Sequence, residues 1–226
     1  MNRRTWISIT LALFGIALIV GGALSFSRGG WGMMGPGYRS MCDSDEFYGS
    51  DVTGEPLSSG EVAAIAGQYL AGYRDADLGI AEIMEFEDNF YVQTREVKTG
   101  RYAFEFLIDR RSGRAYPEPG PNMMWNTKYG HMRWFNFPPW VGPSENMRVT
   151  ADGAIETAQD YLDRTGSDLN VGPEADPFYG YYTLHTLRDG KVAGMLSVNG
   201  ETGEVWVHTW HGVFLGMAIG GDDEHE

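Results

Sequence analysis

The sequence predicts an α+β protein: two tandem modules, each one helix packed on a small antiparallel β-meander, preceded by an N-terminal transmembrane helix. Three observations lead there. Residues 6–24 form an uncharged apolar run, residues 62–116 read as an amphipathic helix followed by β-rich stretches, and the same order recurs after residue 147. The chain accordingly divides into a membrane anchor or signal segment (1–26), a Gly-rich linker (27–56), module 1 (57–117), a Pro/Met/aromatic connector (118–146), module 2 (147–211), and a short apolar segment with an acidic tail (212–226).

The anchor is read from length and charge. Between residues 6 and 24 only Ser8 and Thr10 are polar, and a run of about 20 residues crosses a bilayer core at 1.5 Å per residue. Arg3 and Arg4 precede it and a strongly acidic chain follows, so the N-terminus is expected inside and the modules outside, a single-pass protein of the cell membrane with the bilayer as its first partner. The alternative is secretion after signal cleavage at the small residues Ala23 and Ser25, although the run is longer than a typical signal core. Cys42 stands alone, so neither an internal disulfide nor a Cys-based zinc cluster is available. With 31 Asp and Glu against 17 Lys and Arg, the chain repels polyanions, and nucleic acid is not an expected partner.

In module 1, Val62, Ile65, Ala66, Tyr69, Leu70 and Tyr73 form one helical face, and Ser58 with Glu61 forms a candidate capping box at its start. Residues 89–97, 102–109 and 114–116 are β-rich, and Thr99-Gly100 and Ser112-Gly113 punctuate them as turns. Module 2 repeats the order: Thr150 and Ala151, a helix carrying Ala154, Ala158, Tyr161 and Leu162, then strands at 179–187, 192–199 and 205–210 broken by Asp189-Gly190 and Thr202-Gly203. Tyr69-Leu70 aligns with Tyr161-Leu162, and Ile108-Asp109 through Gly113 with Val198-Asn199 through Gly203, at the expense of a two-residue gap.

These residues carry a family resemblance. The helix start Thr150-Ala151-Asp152-Gly153-Ala154 and the closing stretches Val198-Asn199-Gly200-Glu201-Thr202-Gly203-Glu204-Val205 and Ile108-Asp109-Arg110-Arg111-Ser112-Gly113-Arg114-Ala115 resemble the PepSY domain, a module of peptidase propeptides and of a spore-cortex protein. The resemblance covers roughly residues 57–117 and 149–210, with Asn199 and Ser112 departing from the Asp and Thr of its closing pattern. It implies a module that restrains or assists an enzyme. Since no peptidase follows here, it implies a freestanding extracytoplasmic protein-interaction module acting on an envelope peptidase. In physical terms Asp109 and Asn199 are expected to bond back to their turn backbones, with the following Gly at positive φ, a structural role and not a catalytic one.

Other chemistry is weighed residue by residue. The connector residues Met123, Met124, His131 and Met132 offer thioethers and an imidazole, soft ligands suited to Cu(I), and this makes a copper-binding envelope protein the alternative reading. The plainer reading, which we prefer, has Met and aromatic residues filling the gap between modules, with Trp125, Trp134 and Phe135 buried there. Trp125, Tyr129, Trp134, Phe135 and Trp140 are the candidate partner-binding residues. His208 and His211 have a ligand-like spacing, but a strand through 205–210 sends them to opposite sides, so this pair is not expected to chelate one ion. No nucleophile set or His-Glu-x-x-His pattern is present, so a hydrolase is disfavoured, an enzyme is not expected, and no cofactor is assigned.

Overall fold

The computed structural model describes residues 55–73, 77–131 and 146–220. The anchor run 6–24 and the linker up to residue 54 lie outside the described residues, and among those described no helix is long and apolar enough to cross a membrane. The fold is α+β with antiparallel sheets and few helices.

Helix α1 (Ser59–Ala71) starts as its sequence dictates: Ser58 accepts from the Glu61 N–H and the Glu61 carboxylate accepts from the Ser58 N–H. It lies on a five-stranded sheet made of β1 (Leu78–Phe86), β2 (Asn89–Glu96), β3 (Tyr102–Asp109), β4 (Ala115–Pro117) and β10 (Phe214–Ile219), in the order β10-β1-β2-β3-β4. Val62, Ala66 and Leu70 of the helix are buried against Ile83, Phe90, Val92, Phe104, Phe106 and Ile108.

After the short helix α2 (Pro121–Met124), helix α3 (Ala151–Thr165) repeats the arrangement, its first turn capped by Thr150, whose hydroxyl accepts from the Gly153 N–H. Its Ala154, Ala158 and Leu162 pack on Tyr182, Leu184, Leu196 and Val198 of a second antiparallel sheet. That sheet is built from β5 (Asn170–Val171), β6 (Asp176–Pro177), β7 (Tyr181–Arg188), β8 (Lys191–Asn199) and β9 (Val205–Val207); β5 and β6 both lie along the same side of β7.

Because side chains alternate along a strand, each sheet has a second face turned away from its helix. Met84, Phe86, Tyr91 and Leu107 on the first sheet meet Met195 on the second, so the layers run helix, sheet, sheet, helix. Several elements differ from the expectations above, among them α2, β5 and β6, which were not expected, and two that shape the first sheet. Strand β1 occupies a stretch in which no strand was expected, and residues 214–219, read as part of an apolar tail, form β10. That strand returns to pair antiparallel with β1, placing Phe86 opposite Phe214 and Met84 opposite Met217. The first sheet is therefore completed by residues that follow the second.

The closing turns match in their backbone bonds. Asp109 Oδ1 accepts from the Arg111 and Ser112 N–H groups, and Asn199 Oδ1 from those of Glu201 and Thr202. Gly113 and Gly203 take φ values of 71° and 72°, as the turn chemistry anticipates.

Candidate functional site

A buried polar centre lies between the two sheets. Strand alternation turns Phe104, Phe106 and Ile108 toward α1 and Glu105 the other way; on β7 it likewise turns Tyr182 and Leu184 toward α3 and leaves Tyr181 and Thr183 facing Glu105. Glu105 is fully buried and accepts three hydroxyl bonds: Tyr91 at 2.6 Å and Thr183 at 2.7 Å to Oε1, and Tyr181 at 2.6 Å to Oε2. Burial, and then the charge of nearby Glu118, push its carboxyl well above the ordinary range, with the three hydroxyls opposing. The same burial raises the phenols of Tyr91 and Tyr181.

Glu118 and His208 occupy equivalent places, each one residue past a short closing strand. The Glu118 N–H donates to the Glu105 carbonyl at 3.2 Å, and the His208 N–H to that of Met195 at 3.0 Å. Strand β9 stops at Val207, so the alternation assumed through residue 210 does not hold. The chain turns, Gly212 takes a φ of 76°, and both imidazoles face Glu118. This corrects the expectation that His208 and His211 point apart. His208 Nδ1 and His211 Nε2 stand 3.2 and 3.1 Å from Glu118 Oε1, and all three side chains are essentially inaccessible. The contacts are close but off the hydrogen-bonding direction: Glu118 Oε2, His208 Nδ1 and His211 Nε2 have no hydrogen-bond partner. Burial would raise the Glu118 carboxyl, but His208 and then His211 outweigh it, and the group is held below its ordinary value.

Aromatic rings clamp the two imidazoles. Trp210 stacks on His208 at 4.8 Å and donates its indole N–H to Glu118 Oε1 at 3.2 Å, while Phe86 stacks on His211 at 4.6 Å. Chemically, two imidazoles and one carboxylate are a donor set for a borderline divalent metal ion.

A second polar cluster ties the connector to both sheets. Glu96 accepts from Lys128 at 2.6 Å and from the hydroxyls of Tyr129 and Tyr179 at 2.8 Å each, and these bonds overcome its partial burial and lower its carboxyl to about 2. Tyr129, a candidate partner-binding residue, is thus engaged internally. Trp125, also half-buried, sits edge-on to Trp206. Trp134, Phe135, Trp140 and Met132 lie outside the described residues. Met123 and Met124 sit on α2 and His131 shortly after it, all partly buried. Glu105, Glu118, Asn89 and Ser197 carried no site signal in the sequence, where lone carboxylates and amides read as surface residues.

Comparisons with known proteins add little. No family model matches the sequence, and no curated protein does. Among solved structures the chain is similar to the Bacillus megaterium YpeB C-terminal domain, at 14% identity and a TM-score of 0.23, over 67% of this chain and 62% of that one. The match spans less than two thirds of that domain, and at this level it fixes neither fold detail nor activity.

Proposed function

We propose that the protein is a membrane-anchored extracytoplasmic interaction module, a duplicated PepSY-like pair that binds another envelope protein and has no catalytic activity of its own. The observation that carries this reading is β10. It is the outermost strand of its sheet among the described residues, and Val213, Leu215, Met217 and Ile219 beside and along it are exposed by 63, 52, 39 and 38%. Phe214 and Ala218 face the core instead. An edge strand with an apolar outer row is a hazard unless something covers it, and an extended segment adding to that edge would do so. The matched turns at Asp109 and Asn199 support the duplication, and the PepSY resemblance makes an envelope peptidase the first partner to try.

A photo-crosslinking residue at Leu215 in the anchored protein, in intact cells, tests this. The expected product is one envelope protein joined through an extended segment and lost on Met217→Lys. Crosslinking only to a second copy of this chain, or no product, would overturn the reading.

A further inference from the structure

We propose that Glu118, His208 and His211 bind one divalent first-row transition ion of the zinc type, fastening the ends of β4 and β9 and the start of β10 in a closed, structural site. Outer hydrogen bonds orient both imidazoles toward Glu118. Asn89 donates its amide N–H to the Trp210 carbonyl at 2.9 Å, which fixes its oxygen toward His211 Nδ1 at 2.8 Å. An amide oxygen only accepts, so His211 carries a proton on Nδ1, which leaves Nε2, 3.1 Å from Glu118 Oε1, as the ring nitrogen open to a metal ion.

The same logic holds for His208 along a longer chain. With Thr183 donating to Glu105, Ser197, 3.1 Å from the Thr183 hydroxyl, can donate to Thr183 and accept from His208 Nε2 at 2.9 Å. His208 Nδ1, 3.2 Å from Glu118 Oε1, is then the second inward ring nitrogen open to the ion. Glu118 Oε2, His208 Nδ1 and His211 Nε2 converge in a dry interior without hydrogen-bond partners, Glu118 Oε1 taking the Trp210 indole N–H, and a cation between them would satisfy all three residues.

The dimensions fit. Donor atoms around a tetrahedral zinc stand about 3.3 Å apart at bond lengths near 2.0 Å, and the observed His-to-Glu separations are 3.1 and 3.2 Å, with all three donor atoms within 4.8 Å of one another. Asn89 and Ser197 are outer hydrogen-bond partners of the kind that orient metal-binding imidazoles. Glu118 Oε2, buried and unpaired, can complete the coordination without an open position for substrate. Two nitrogens and a carboxylate suit Zn(II), Co(II) or Cu(II) better than Ca(II) or Mg(II), and the site uses none of the connector thioethers.

The test takes the full-length protein in detergent, freed of metal by chelation, and titrates it with Zn(II) and Co(II). The expected result is one equivalent bound with submicromolar affinity, Co(II) d–d bands of a low-coordinate site, and shifted His208 and His211 ring resonances. Glu118→Gln and His211→Gln should each weaken binding at least about 100-fold, Ser197→Ala and Asn89→Leu about 10- to 100-fold, and Met123→Leu with Met124→Leu not at all. Where a ligand variant fails to fold, the wild-type ring resonances decide. Binding that leaves those resonances unmoved, binding that survives Glu118→Gln in a folded protein, or no stoichiometric binding would each overturn the proposal.

Discussion

At the scale of single residues, Glu105 and Glu96 are held by named donors, and Glu96 gives the most accessible consequence. Its folded pKa of about 2 lies below the ordinary 4.5 because Lys128, Tyr129, Tyr179 and Thr99 all donate to it. A depressed carboxylate stabilises the fold above its unfolded pKa and loses that contribution as pH falls through the folded one. Stability should therefore decline between about pH 4.5 and pH 2. Solvent on the Lys128 side discounts the gain to of order 1–2 kcal/mol. Urea unfolding across this range should show the decline in the wild type and a flatter profile, from a lower starting stability, in Glu96→Gln. Equal slopes would remove Glu96 from the account. None of this was legible in advance, because a Glu among polar neighbours looks the same in sequence whether it is solvated or clustered.

At the scale of elements, what was legible is what is local. The α1 stripe and capping box, the Thr150 helix start and the Asx-Gly turns depend on residues within a few positions of one another, and each forms as read. Strand β1 escaped because Glu82 and Glu85 interrupt its alternation, and its register slips between Ile80 and Glu82. Strand β10 escaped because its partner lies more than 120 residues upstream, and no local pattern reports that. The His208–His211 spacing was visible, but where β9 stops was not. The turns give a quantitative check. Asn199→Asp keeps an oxygen acceptor for the Glu201 and Thr202 N–H groups and should be near neutral. Asn199→Ala leaves both donors unserved and should cost about 1 kcal/mol. Asp109→Asn and Asp109→Ala should behave the same way in thermal melts, and an Ala variant as stable as the wild type would show that the turn needs no side-chain acceptor.

At the scale of the whole molecule, the central claim is that the two sheets act as one body through the buried centre and the returning strand. Glu105 on the first sheet takes hydroxyl bonds from Tyr181 and Thr183 on the second, Met195 packs among residues of the first, and β10 closes the first sheet from beyond the second. Removing the shared acceptor takes from Tyr91 on one sheet, and from Tyr181 and Thr183 on the other, the oxygen they donate to, at about 1–3 kcal/mol for each hydroxyl that finds no other partner. Native-state hydrogen exchange of the wild type and of Glu105→Ala measures this directly. The account predicts that amides of β2 and β3 and those of β7 and β8 lose protection together and by similar factors. Loss confined to β2 and β3, with β7 and β8 exchanging as in the wild type, would contradict it.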